Sequence, residues 1–302
     1  MIVFNAIFIA VIVFLLSVTL ILFIVGPTLL LTPRRRTAEF YRKLGLPVSL
    51  SDVQLIYEDL NVIADGGIKL NGWLVKAGQK SRGTIIYLHG VGDCKMDGIR
   101  FTKLMHENNY NVFLYDSRRH GESDGEFCTY GFFEKNDLVK VIDYLQSRND
   151  LTLGKIALFG TSMGAAVALQ TAGIDRRISA VIAENSFATL RSIFDDYQKR
   201  MIKLPFHYLR NIVIKRSELK AGFKANSVSP VDSLKAIRIP VMIIYGTEDH
   251  LISHQYSLRL FDAANEPKEF FAIEGAKHND TWQVEGKNYE TRILRFLERH
   301  IG

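Results

Sequence analysis

The chain is predicted to fold as an α/β domain on a mostly parallel sheet with helices on both faces, and three features of the sequence carry that prediction. From Thr84 onward, short apolar runs alternate with stretches of helical periodicity, the pattern of successive β-α-β units. Between one such run, Ile156 to Phe159, and the alanine-rich stretch that begins at Met163 lies Gly160-Thr161-Ser162-Met163-Gly164, a match to Gly-x-Ser-x-Gly. The composition agrees: 302 residues, 47% hydrophobic and 23% charged, suit one large domain with additions better than several small ones.

Taken in order, the chain opens on an uncharged span. Ala6 to Val25 has no charged side chain, and Pro27 and Leu29 to Leu31 prolong the apolar character up to Arg34. About 20 apolar residues cross a bilayer core. A cleaved signal peptide predicts a charged leading segment, a shorter apolar core and a small-x-small cleavage site, and the sequence offers none of these. Residues 1–32 are therefore read as an uncleaved transmembrane anchor. Arg34, Arg35, Arg36, Arg42 and Lys43 follow the span and only the terminal amine precedes it, so the positive-inside rule places the rest of the chain on the cytoplasmic face.

Residues 33–54 read as a linker with a short helix, Ala38 to Leu44, ended by Gly45 and Pro47 and serving only as spacing near the membrane surface. Leu55 to Ala64 and Ile68 to Lys76 are β-rich runs around Asp65-Gly66-Gly67, a hairpin that supplies an antiparallel edge to the main domain, 55–302. The parallel strands follow at Thr84 to Leu88, Asn111 to Tyr115, Ile156 to Phe159, Ala180 to Ala183, Val241 to Tyr245 and Phe270 to Ile273. Helices fit at Asp97 to Glu107, Glu134 to Gln146, Met163 to Ala172, His254 to Ala263 and Asn288 to Leu297.

One insert, about 187–228, breaks the alternation and reads as a small helical lid. Within it, Lys199 to Arg216 interleaves apolar side chains such as Met201, Ile202, Leu204, Phe206 and Ile214 with basic ones such as Arg210, Lys215 and Arg216. Such a stretch can rest on a membrane boundary or pack inward over a site, and Pro205 prevents a single amphipathic helix in either case.

Charge and cysteine content narrow the function classes. The formal charge of +6 is spread along the chain without a basic run interleaved with aromatics, which argues against nucleic acid as a partner. Cys94 and Cys128 form no Cys-x-x-Cys pair and join no His/Cys cluster, so they read as free thiols in a reducing compartment, with no metal site.

The chemistry is read from strand ends. In Gly-x-Ser-x-Gly a tight strand-to-helix turn lifts the serine hydroxyl above the sheet, and glycines allow the backbone to fold back closely. Ser162 is thus a candidate nucleophile. The loop Leu88-His89-Gly90-Val91-Gly92 can aim a backbone N–H at a developing oxyanion beside the residue after the nucleophile, which assigns Val91 and Met163 as donors; an ordinary strand-to-helix turn needs glycine too. Glu248 and Asp249 both place a carboxylate after the Val241 strand, where sites form in open α/β sheets. His278 is the candidate base. Among the eight histidines, His106, His207, His254 and His300 fall in helical or lid stretches, His89 and His120 in glycine turns, and His250 beside the acid. Only His278 follows both Ser162 and an acid in a strand-end loop, giving the order Ser, Asp, His.

With YLHGVGD (Tyr87 to Asp93), YDSRRHGESDG (Tyr115 to Gly125), GTSMG (Gly160 to Gly164), YGTEDHLIS (Tyr245 to Ser253) and GAKHND (Gly275 to Asp280) in this order, the chain resembles the α/β-hydrolase superfamily from about Asn61 to Glu298. It is similar in particular to membrane-anchored bacterial esterase-like proteins grouped with serine aminopeptidases and monoacylglycerol lipases. That resemblance implies the α/β-hydrolase fold, favours Asp249 over Glu248 as the acid, and makes the RRHGESDG loop structural, with no catalytic role for Asp116 or His120. Val91 departs from the small polar residue of many relatives. A serine at the elbow argues against dehalogenases and epoxide hydrolases, which by resemblance carry aspartate there. The expected activity is cofactor-free serine hydrolysis of carboxylic esters, with lipid-like acyl esters or thioesters as substrates and membrane lipid as surroundings. A serine peptidase, an acyltransferase and a non-catalytic membrane-tethered scaffold are the alternatives.

Overall fold

The computed structural model describes residues 2–78, 80–201 and 207–302. Eight strands form a single sheet: β1 (Glu58–Ile63), β2 (Lys69–Val75), β3 (Thr84–Leu88), β4 (Asn111–Tyr115), β5 (Ile156–Thr161), β6 (Ile178–Glu184), β7 (Val241–Gly246) and β8 (Lys268–Ile273). Their order is β1-β2-β4-β3-β5-β6-β7-β8. The β1–β2 and β2–β4 pairs are antiparallel and the remaining pairs parallel, so the expected hairpin edge and parallel body are both present.

Side-chain alternation divides the interior into two cores. Ile85 and Tyr87 of β3, with Ala157 and Phe159 of β5, face the core closed by helices Ile99–Glu107 and Lys287–His300. Ile86, Leu88 and Leu158 face the other, closed by helices Glu134–Gln146, Met163–Ala172 and His254–Ala263. A strand buried on both faces has no polar face to show, which is why these runs read as continuous rather than alternating hydrophobicity. β3 leads outward to β4, and the chain then crosses back over β3 to β5, so the order reverses between β3 and β5. Ligands in open α/β sheets bind at such a switch point, outside the carboxyl ends of the strands.

The apolar N-terminal helix, Val3–Leu31, is long and apolar enough to cross a membrane by length and composition. A π-helical turn, Ile21–Val25, precedes its last turns, and these belong to the packed body: Leu22, Pro27 and Leu31 are buried. The Leu31 carbonyl accepts the Cys128 N–H at 2.8 Å, and the Leu30 carbonyl accepts the Tyr130 hydroxyl at 2.8 Å. The insert contributes helices Leu190–Met201 and His207–Ala221. Of the residues weighed there, Ile202, Leu204, Pro205 and Phe206 lie outside the described residues. Ile214 is buried, Arg216 lies 4.8 Å from the centroid of the Phe23 ring, and the Val213 methyls approach to 2.9 Å of where a Cβ on Gly26 would stand. The described part of the second lid helix therefore packs on the end of the N-terminal helix.

The linker is not the spacer expected of it. Its helix, Ala38–Lys43, buries Tyr41, whose hydroxyl donates to Asp93, and Arg36 pairs with the same carboxylate. The Arg36 N–H also donates to the Gly92 carbonyl at 3.1 Å. A buried carboxylate needs such partners, and apart from the Cys94 N–H at 3.2 Å the partners of Asp93 come from this segment, which thereby docks on the loop after β3.

The loop after β4 is structural, as the resemblance implied. Asp116 accepts the Lys95 N–H at 2.7 Å, the Lys95 ammonium at 2.7 Å and the Glu122 N–H at 2.9 Å. His120 is buried with its Nδ1 2.9 Å from the Arg118 carbonyl oxygen and its ring 5.1 Å from that of His89. Burial, and after it the neighbouring His89, push its pKa down to about 3, so the ring is neutral in the fold.

Two outcomes follow from this packing. Leu31→Ala in the full-length protein should cost about 2–5 kcal/mol, the usual range for truncating a fully buried leucine; a melting temperature unchanged in detergent would show that this end of the helix is not part of the body. Between pH 6.5 and about 3 the unfolded chain protonates His120 and the folded chain does not. Stability should therefore fall as pH drops through this window, by about 1.4 kcal/mol per unit from this group. Denaturant titrations of His120→Gln should show a correspondingly shallower dependence, and an identical slope would contradict the neutral buried ring.

Candidate active site

Ser162 stands on the sharp turn between β5 and helix Met163–Ala172 with φ 52° and ψ −114°, a conformation that costs a non-glycine residue about 1–3 kcal/mol. The turn holds it there. Its N–H donates to the Glu184 carbonyl at 2.8 Å, and the flanking glycines leave no room for relaxation. A Cβ on Gly160 would lie 2.4 Å from the Gly164 carbonyl carbon, and one on Gly164 would lie 2.1 Å from the Leu88 carbonyl oxygen. Both contacts are with backbone, so only glycine fits.

Of the two expected donors, Met163 follows Ser162 directly and Val91 lies in the loop packed against it. Met163 is the first residue of its helix, where an N–H has no intrahelical partner and carries the positive end of the helix dipole. Val91 is aimed by its neighbour. The Gly90 carbonyl accepts the Asp93 N–H at 3.2 Å and lies 2.8 Å from His89 Nδ1. His89 Nε2 accepts the Ser117 N–H at 3.0 Å, so Nδ1 must carry the proton of the neutral ring and donate to Gly90. Burial lowers the His89 pKa and keeps it in that state. Since C=O and N–H point opposite ways across a planar peptide, fixing the Gly90 carbonyl turns the Val91 N–H away from these donors. The loop lies against the serine: a Cβ on Gly90 would stand 3.4 Å from the Ser162 Cβ.

Asp249 and His278 meet. His278 Nδ1 is 2.6 Å from Asp249 Oδ2, with side chains 11% and 2% exposed. Asp249 Oδ1 accepts the N–H groups of Leu251 at 2.7 Å and Ile252 at 2.9 Å, which fix the carboxylate. Glu248, the neighbouring acid that could serve chemically, is exposed. Ser162 shares the rim with this pair, although among the described residues its hydroxyl makes no hydrogen bond to His278. Serine–base contacts are often loose without substrate and tighten when it binds.

Two residues that sequence reasoning passed over hold the parts together. Asn185, in the left-handed region at φ 50°, donates to the His278 carbonyl at 2.8 Å and accepts the Gly246 N–H at 3.1 Å, tying the base loop to the end of β7. Glu184 reaches across in the same way. Its carbonyl takes the Ser162 N–H, and its buried carboxylate accepts the Thr281 hydroxyl at 2.6 Å and the Tyr289 hydroxyl. Burial raises its pKa, against the pull of these two hydrogen bonds. The signal was present as two polar residues ending the apolar run Ile178 to Ala183. Among the described residues, no group of three or more His, Cys, Asp or Glu is placed to hold a metal ion.

Comparison with known proteins agrees with this architecture. A model of the family described as serine aminopeptidase, S33, matches residues 79–230. The YqkD protein of Bacillus subtilis is 31% identical over 234 residues, covering 77% of this chain and 76% of its own. An α/β-hydrolase domain-containing protein of Arabidopsis thaliana, WAV2, is 27% identical over 262 residues, covering 84% of this chain and 82% of its own. Among solved structures, the Pyrococcus furiosus esterase Pf2001 superposes with a TM-score of 0.73 at 25% identity, over 90% of this chain and all of its own. The acylaminoacyl peptidase of Pyrococcus horikoshii shares the fold, with a TM-score of 0.62 at 16% identity over 83% of this chain and 43% of its own. With the strand order, the serine turn and the family match in agreement, the chain belongs to the serine aminopeptidase S33 family of α/β hydrolases.

Proposed function

We propose that this hydrolase is a membrane-anchored serine esterase that cleaves lipid-like acyl esters or thioesters. The Asp249–His278 hydrogen bond, on the rim that also carries the strained Ser162 turn, is the observation that supports it most. In this reading His278 Nε2 takes the Ser162 proton as the oxygen attacks the acyl carbon, and Asp249 fixes the imidazole tautomer and stabilises the cation that forms. The Val91 and Met163 N–H groups receive the oxyanion. His278 returns the proton to the departing alcohol or thiol as its bond to carbon breaks. Water then repeats the attack and releases the acid and the free serine. A peptidase is the second reading, favoured by the family's description.

The same proposal takes the N-terminal helix as a retained anchor. Its last turns bury Leu31 and hydrogen-bond the body, so removing them as a signal sequence would open the core. The arginines that follow favour a cytoplasmic catalytic domain.

Two measurements check the proposal. A fluorophosphonate probe should label the wild-type protein at Ser162, and Ser162→Ala should lower turnover of acyl esters roughly 10⁴-fold or more, with His278→Ala adding little because the residues act as one unit; retained turnover in Ser162→Ala would overturn the assignment. Faster cleavage of aminoacyl amides than of esters would select the peptidase. Protease added to intact cells or spheroplasts should leave the domain undigested, and digestion would reverse the orientation.

A further inference from the structure

A cleft of about 520 Å³ opens between the segment that follows the apolar helix and the loop after β3, lined by Arg34, Arg35, Arg36, Phe40 and Lys43 on one side and by Val91 and Gly92 on the other. Two of its cations are already neutralised: Arg36 by Asp93, and Lys43 by Glu39 at 2.7 Å. Arg34 is exposed and makes no ion pair among the described residues, while Arg35 donates through one guanidinium nitrogen to the Gly121 carbonyl at 3.1 Å. The Arg35 Nε is buried and bonds to nothing described, a donor that costs stability unless a ligand or water meets it. Burial and the nearby Arg119 charge also lower the Arg35 pKa, against the opposing pull of Asp116 and Asp124. The cleft thus offers the exposed Arg34 guanidinium, with no ion pair among the described residues, and the incompletely bonded Arg35 guanidinium, over walls held rigid by the Asp93 contacts.

Its position gives the charge a use. Val91 lines the cleft and also supplies the proposed oxyanion donor, so an anion held by Arg34 and Arg35 would be close to an acyl carbon at Ser162. The cleft also begins where the apolar helix ends, at the depth of lipid headgroups. Guanidinium groups recognise phosphate oxygens in bidentate fashion, and the exposed Arg34 is available for such a contact, with Arg35 beside it in the lining.

We propose that this cleft is an anion subsite that binds a phosphate carried on the alcohol portion of the substrate, so that the enzyme prefers acyl esters of phosphate-bearing alcohols. This rests on the serine esterase reading. The phosphate has two possible sources, a membrane lipid headgroup or a soluble phosphate ester, and the test separates them.

Binding is measured on full-length Ser162→Ala protein in phosphate-free dodecyl maltoside micelles, with oleoyl lysophosphatidic acid and the uncharged monooleoylglycerol as paired probes. The charged lipid should bind about tenfold or more tightly than the neutral one, the scale of one charge-assisted pair, and Arg34→Gln should remove most of that preference. Arg34 is exposed with no ion pair to lose, so this variant should fold, and Arg34→Gln/Arg35→Gln should abolish the preference at an unchanged monooleoylglycerol affinity. Competition by glycerol 3-phosphate would identify a soluble phosphate ester as a ligand in its own right, and competition only by the lipid would identify the headgroup. Equal binding of the two lipids, or a preference indifferent to both variants, would overturn the subsite. Fluorophosphonate labelling of the wild type is read in parallel: labelling without charge preference rejects the cleft alone, and charge preference without labelling rejects the esterase reading while leaving an anion site.

Discussion

The close approach of the 160–164 turn to the end of β3 is the constraint on which the rest of the site depends. Gly164 lies under the Leu88 carbonyl, and Gly160 under Gly164 itself, at separations that admit no Cβ. That contact brings the serine turn and the Gly90–Val91 loop together, although more than seventy positions separate them in the chain. It also forces Ser162 into a positive φ that a relaxed turn would avoid. The strain persists because the strands on either side are buried on both faces and cannot yield.

Several buried polar groups in the rim have partners that also orient something else. Lys95 is fully buried, held by Asp116 at 2.7 Å and Glu122 at 2.6 Å and lying 4.9 Å from the Trp73 ring centroid. Breaking one half of such a pair is far more damaging than the pair is stabilising, so the group as a whole fixes the path of the loop after β4. His89 is kept neutral by burial and converts that neutrality into geometry, donating on one side and accepting on the other. Glu184 and Asn185 do the same between the serine turn and the histidine loop. Side chains two links from any substrate therefore set the directions of those proposed to touch it.

The N-terminal segment enters the same network from outside. Asp93, on the loop after β3, is met by Arg36 and Tyr41, while the end of the apolar helix packs on the second lid helix and on the loop that carries Cys128 and Tyr130. The apolar helix, the helical insert and the loop proposed to carry an oxyanion donor are in this way mechanically joined. A membrane held by the apolar helix would share its frame with the cleft beside Val91, where the binding role proposed for the cationic segment is placed.

The sequence by itself determined the sheet, its helices and the rim positions of Ser162, Asp249 and His278, because each rests on short-range information. Apolar runs such as Thr84 to Leu88 mark buried strands, glycines mark the close turns, and strand ends mark the rim. The residues left Glu248 chemically eligible and the resemblance favoured Asp249, but the contact itself is made by the fold, which pairs Asp249 with His278 and fixes its carboxylate through the backbone N–H groups of Leu251 and Ile252. The docking of Arg36 and Tyr41 on Asp93, the burial of Leu31, and the Asn185 link to His278 were equally out of reach. Each joins residues from distant parts of the chain, and no local period or motif encodes such a contact. The tertiary structure decides them because a buried polar or apolar group must find its partner wherever the fold brings one near.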